Sequence, residues 1–99
     1  MTPTLFVFVA CIAIDGDTLR SGDERIRLAR IDTPEKHEVG YHEAKDAMQL
    51  LIQGREVRCI VNRREKYGRL LGECGTQETK SLSDEMLRRG LALPYQGKR

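Results

Sequence analysis

Pro34 closes the most regular alternation in the chain, and that stop constrains what can lie on either side of it. From Glu24 to Ile31 the apolar Ile26 and Leu28 alternate with Arg25 and Arg27, the period of a strand with one buried face. Proline removes an amide donor and holds Thr33 extended, so the strand ends there and the chain enters a polar loop. The segment 27–35 therefore combines an arginine, Arg27, two carboxylates, Asp32 and Glu35, and a stiffened turn.

The remainder parses around this stop. Leu5–Ile14 is rich in Phe, Val and Ile and reads as a third-dimension filler, a strand buried on most sides. It lacks a charged leader and is too short to span a bilayer, so a core strand in a cytoplasmic protein is expected, not an export signal. Asp15-Gly16-Asp17 reads as a turn in which glycine supplies a positive φ. Thr18–Arg20 begins a second strand, and a tight hairpin at Ser21-Gly22-Asp23 leads into the third, Glu24–Ile31. Tyr41, Ala44, Met48, Leu51 and Ile52 recur at helical spacing, which predicts a helix over Tyr41–Gln53 with Gly54 as its stop. Glu56–Asn62 and Arg69–Cys74 are the fourth and fifth strands, joined by a charged turn. Ser81 caps a second helix, Leu82–Arg89, with Asp84 placed for a capping box, and residues 96–99 form a polar tail.

Three strands, a helix, two strands and a helix match a mainly β fold, a five-stranded oligonucleotide-binding barrel with two helices. One domain is expected over residues 1–99, with its core between about residues 5 and 95. Cys11, Cys59 and Cys74 are odd in number and lack metal spacing. They read as small buried hydrophobes, with a disulfide open but not indicated.

Charge is unevenly spread. Residues 1–35 hold four basic and six acidic groups, whereas residues 55–69 hold six basic and two acidic ones, so the first part suits a cation and the second a polyanion. Asp17 and Asp32 each follow a strand end. Two carboxylates, a backbone carbonyl such as that of Thr33, and water suit Ca²⁺ or Mg²⁺, and no Cys/His set points to zinc. Arg27 and Arg69 have the planar fork that bonds two oxygens of a phosphodiester at once. Glu35, stiffened by Pro34, is a candidate general base for an attacking water. Lys66 and Tyr67, just before Gly68-Arg69, are candidates for contacts to a terminal phosphate and a stacked base. His37 and His42 read as loop and helix-surface residues, and Arg25, Arg30 and Arg58 as solvated faces. Together these groups point to metal-assisted phosphodiester chemistry.

Four segments in this order carry a resemblance: Ile14-Asp15-Gly16-Asp17-Thr18, Ile26 through Glu35, Lys66-Tyr67-Gly68-Arg69, and Leu87-Arg88-Arg89-Gly90-Leu91-Ala92. Over about Leu5 to Tyr95 the chain resembles the staphylococcal nuclease family. The resemblance implies an oligonucleotide-binding barrel and Ca²⁺-dependent cleavage of single-stranded or frayed DNA and RNA, leaving 3′-phosphate ends. It implies Asp17, Asp32 and the Thr33 carbonyl as metal ligands, with Asp15 just outside them. It further implies Glu35 acting on the attacking water, Arg27 and Arg69 on the phosphate, and Lys66 and Tyr67 on the nucleotide. Neither a membrane nor a protein partner is implied. Glu65 replaces the aspartate usual before the tyrosine, and the sequence ends soon after Ala92, where many members continue into a third helix. The alternative is a non-catalytic nucleic-acid-binding module of the same fold. The set Asp17, Arg27, Asp32, Glu35 and Arg69 argues for the enzyme, because a binding module has no use for carboxylates that repel a phosphate.

Overall fold

The computed structural model describes residues 2–97. In chain order its elements are β1 (Thr4–Phe8), β2 (Ile12–Asp15), β3 (Thr18–Ser21), β4 (Glu24–Leu28), β5 (Ile31–Asp32), α1 (Tyr41–Ile52), β6 (Val57–Arg64), β7 (Leu70–Gly75), α2 (Leu82–Arg88) and β8 (Leu93–Pro94). Six strands form one sheet in the order β1-β6-β7-β4-β3-β2, and β5 pairs with β8 in a second, two-stranded sheet. All neighbours in the large sheet are antiparallel except β4 and β7. Among the described residues no helix is long and apolar enough to cross a membrane.

The expected first strand, Leu5–Ile14, is two strands interrupted between Phe8 and Ile12. This break shapes the whole fold, because the two halves become opposite edges of the large sheet. Consecutive pieces of chain can lie at both edges only if the sheet curls around until its edges approach. The architecture is therefore the expected oligonucleotide-binding one in an open form: among the described residues β1 and β2 do not pair, and the barrel is not closed.

The third strand is also shorter than expected. It ends at Leu28, the Ala29 amide donates to the Gly72 carbonyl at 2.9 Å, and the chain turns before β5. At α2 the Ser81 hydroxyl accepts from the Asp84 amide at 3.1 Å, as a cap should. The Asp84 carboxylate pairs with Arg30 and not with the cap backbone, so the capping box is incomplete. Of the polar tail, Lys98 and Arg99 lie outside the described residues.

The core fills the concave side of the sheet. Leu19, Ile26, Leu28, Ile31, Met48, Ile52, Val57, Leu82 and Met86 are fully buried there. Tyr41, Ala44, Met48 and Ile52 form the buried face of α1, at the spacing the sequence shows. Burying one such aliphatic side chain is worth about 1.5–3 kcal/mol, so this face holds the helix over β2.

Cys59 and Cys74 stand directly opposite one another on β6 and β7 and are joined by a disulfide, while Cys11 is free and buried. The sequence leaves a disulfide open without indicating one, because the strand register that brings the pair together is not written in the cysteine spacing. The bridge closes a loop with a sequence separation of 15, for which chain entropy gives about 3 kcal/mol. Adding reductant should lower the thermal midpoint by about ten degrees or more. A melt that reductant leaves unchanged would show that the bridge contributes nothing.

Candidate active site

The site is built at the corner where β4 leaves the large sheet. Gly16 opens it. Contrary to expectation, Gly16 is not among the glycines at positive φ; it is needed for space. A Cβ there would lie 2.9 Å from both the Ala44 Cβ and the Thr33 Cγ2. The missing side chain lets α1 and the Thr33 loop close over the Asp15–Asp17 turn.

Asp17 is held from several directions. Its backbone carbonyl accepts from the Leu28 amide at 2.9 Å, which locks the turn against β4. Its Oδ2 accepts from the Thr33 amide at 3.0 Å, and its Oδ1 from the Thr18 hydroxyl at 3.1 Å. Arg27 is 8% exposed and spends its donors on the same corner. Nη1 donates to the carbonyls of Leu28 and Ile31 at 2.5 and 2.8 Å. Nη2 lies 2.6 Å from Asp32 Oδ1 and 3.4 Å from Asp17 Oδ2. A single guanidinium nitrogen thus gathers two carboxylates from positions fifteen residues apart in the sequence.

Two carboxylates around one guanidinium leave a net negative charge, and the buried Thr33 hydroxyl has no hydrogen-bond partner. All of these donors are hard oxygens, which fits a divalent cation of the Ca²⁺ or Mg²⁺ type. Among the described residues no group of three or more His, Cys, Asp or Glu side chains converges, so water would have to complete the shell.

Beside this cluster lies an open cleft of about 340 Å³, lined by Asp15, Asp17, Thr33, Glu35, Lys36 and His37 among others. The Glu35 amide is fixed by Glu38 Oε1 at 2.6 Å, while Glu35 itself is exposed. Asp15 Oδ1 accepts from the Tyr41 hydroxyl at 2.9 Å, and this bond to a carboxylate holds the Tyr41 proton more tightly than usual. Sequence reasoning placed Tyr41 only in the helix core and gave His37 no site role. The available signal for Tyr41 was general: a buried tyrosine seeks a partner for its hydroxyl.

Arg69, Lys66 and Tyr67 occupy the β6–β7 turn. Glu65 organises it, its Oε1 accepting from the amides of Tyr67 and Arg69 at 3.0 and 2.9 Å and its Oε2 from Arg69 Nη2 at 3.3 Å. Burial pushes the Glu65 carboxyl up, but the Arg69 side chain and these amides outweigh it and hold the group below its ordinary value. Arg69 is braced by its own turn; among the described residues none of its hydrogen bonds reaches the Asp17–Arg27–Asp32 cluster. Its Nε is buried without a partner. The β4–β7 register pairs Arg27 with Leu71, so Arg69, two residues earlier, follows the alternation onto the Arg27 side of the sheet. Tyr67 is 67% exposed, with Lys66 Nζ 5.1 Å from its ring centre.

A larger cleft of about 620 Å³ lies elsewhere, among Arg55, Glu56, Arg58 and Glu78. Its charges pair with each other, Arg55 with Glu78 and Arg58 with Glu56, and no donor set converges there. The charged and hard-oxygen groups converge instead at the corner site, in spite of the smaller volume of its cleft.

Comparison with known proteins agrees with this fold. The family model described as staphylococcal nuclease homologue matches residues 25–99. An "Uncharacterized endonuclease" of Escherichia coli O157:H7 is 34% identical over 87 residues, covering 84% of this chain and 57% of the relative. A "Succinoglycan biosynthesis protein ExoI" of Rhizobium meliloti is 30% identical over 91 residues, covering 81% of this chain and 48% of that protein. A "Staphylococcal-like nuclease CAN1" of Arabidopsis thaliana is 34% identical over 71 residues, covering 72% and 22%. The chain spans little more than half the length of the first of these relatives and less of the others.

Proposed function

Because this chain belongs to the family of staphylococcal nuclease homologues, we propose that it is a nuclease that hydrolyses the phosphodiester bonds of DNA or RNA with the help of Ca²⁺. The observation that carries this reading is Arg27 Nη2 set between Asp17 and Asp32. A cation site and a phosphate-binding guanidinium share one corner.

Asp17, Asp32 and the Thr33 carbonyl hold the cation, and Asp15, tethered by Tyr41, adds negative charge beside it. A bound Ca²⁺ supplies positive charge to the phosphate and favours ionisation of an attacking water. Glu35, on the cleft wall, takes the proton of that water. Arg27 and Arg69 bond the phosphate oxygens as negative charge builds on them; each such preorganised donor is worth about 3–4 kcal/mol in comparable sites. The water oxygen bonds to phosphorus as the bond to the 5′ oxygen breaks, and the departing oxygen, with Arg69 beside it, takes a proton from solvent, which leaves a 3′-phosphate and a 5′-hydroxyl. Lys66 and the exposed Tyr67 meet the adjoining nucleotide by charge and by stacking. A module that only binds strands would gain nothing from placing two carboxylates at its phosphate site.

A time course on end-labelled single-stranded DNA and RNA tests this. Cleavage is expected with Ca²⁺, with 3′-phosphate ends, and none with excess chelator. Turnover that chelator does not affect would remove the metal assignment, and no turnover under any condition would leave the binding module. Glu35→Gln should slow cleavage by about 100-fold while oligonucleotide affinity is kept. Collapse of affinity with an unchanged rate for bound substrate would make Glu35 a loop brace only.

A further inference from the structure

We propose that Arg20 and Arg25, on the outer face of β3–β4, form a second phosphate-binding step that grips the polynucleotide backbone beyond the scissile phosphate. The inference rests on the nuclease reading and extends its substrate contact. Arg20 and Arg25 are register partners on adjacent antiparallel strands, and Thr18 and Arg27 are the partners two positions along. Residues two apart on a strand share a face, so Arg25 and Arg20 lie on the same side of the sheet as Arg27, roughly 7 Å further along it. That step is comparable to one nucleotide of an extended strand.

Neither arginine is neutralised. Both are exposed, and among the described residues neither forms an ion pair. The nearest acid in sequence, Glu24, is taken by Arg64, which bonds both its oxygens at 2.9 and 3.1 Å. Like charges placed directly opposite oppose sheet pairing, so two unpaired arginines in register are a cost that a bound polyanion would offset. Arg25 is also physically joined to the nucleotide-contacting turn: its Nη2 donates to the Tyr67 carbonyl at 3.3 Å. The basic groups of the β6–β7 turn, Arg25 and Arg20 thus form a continuous track leading away from the corner site. A single strand laid on such a track is held by its phosphates and read little by its bases.

The test is binding of fluorescein-labelled oligo(dT) of 2 and 16 nucleotides, followed by anisotropy against salt, with chelator present so that nothing is cut. In the double variant Arg20→Gln/Arg25→Gln, affinity for the 16-mer should fall about tenfold and the salt slope should drop by about 1.4, as expected for two lost phosphate contacts on a single strand. Affinity for the 2-mer, whose single internal phosphate reaches only one step, should stay unchanged. The control Arg58→Gln/Arg88→Gln removes the same charge from other surfaces and should change neither value. The Arg20/Arg25 variant should melt at or above the wild-type temperature, since it relieves repulsion, so loss of fold is separable from loss of binding. Equal weakening in the control, or an unchanged slope in the variant, overturns the proposal. If wild type cuts DNA while the variant binds and cuts long strands as well as it does, the second step fails and the nuclease stands. If wild type binds the 16-mer through these arginines and cuts nothing with Ca²⁺, the second step stands and the nuclease fails.

Discussion

Arg27→Lys is expected to slow strand cleavage by about 100-fold or more at saturating Ca²⁺ and substrate. The guanidinium makes four contacts at once, two to carbonyls that shape the corner and two to the carboxylates. An ammonium is a point charge on a flexible stem and cannot fork in this way. Two effects therefore add. In the proposed mechanism the phosphate loses a guanidinium donor, and Asp17 and Asp32 lose the atom that keeps them side by side. Stability should also fall, by about 1–3 kcal/mol, because the carbonyls of Leu28 and Ile31 lose a buried donor. The two effects separate experimentally when rates are taken well below the melting temperature of the variant. A near-normal rate would reduce Arg27 to a brace at the end of β4.

Gly72→Ala should be among the most damaging single methyl additions in the chain. A Cβ at Gly72 would sit 2.1 Å from the Ile60 carbonyl oxygen and 2.9 Å from the Val61 Cα. Both are backbone atoms, which cannot swing aside as the tip of a side chain can. Val61 and Gly72 are register partners next to an irregularity in β6, so the strands are closest where the methyl would enter. To admit it, β6 and β7 must separate beside the Cys59–Cys74 bridge. The Gly72 carbonyl also anchors Ala29, the first residue of the turn after β4, so the corner that holds Arg27 and Asp32 would move with it. A loss of about 4 kcal/mol or more is expected, a large part of the roughly 5–15 kcal/mol available to a domain. Thermal melts should show a midpoint lowered by well over ten degrees or no cooperative transition. A wild-type midpoint would mean that the strands are not this close in solution.

Much of this fold could be read before any coordinates. Hydrophobic period placed α1 and the hairpin, whereas the strand that carries Arg27 ends at Leu28, several residues before the stop that Pro34 marks. What could not be read depended on geometry between distant segments. Nothing in the apolar run from Leu5 to Ile14 marks a break near Cys11, because a buried strand and two shorter ones have the same composition. The disulfide was hidden for a related reason: it follows from the β6–β7 register and not from the cysteine spacing. Gly16 was assigned to the right turn for the wrong cause, a positive φ where the structure requires open space. At the site, the motifs named Asp17, Arg27, Asp32 and Thr33, and the fold brings these four together. Arg69 was named as well, but the sequence could not show that Glu65 and not the cluster would brace it. Tyr41, Lys36 and His37 were missed as site residues because helical period and loop polarity explain them without any site.

The account depends most on one cation shared by Asp17 and Asp32. Calorimetric titration of Ca²⁺ into wild type, Asp17→Asn and Asp32→Asn measures that directly. One site per chain is expected in wild type, weakened at least tenfold by either substitution alone. Binding that survives both substitutions unchanged would place the cation elsewhere and contradict the account.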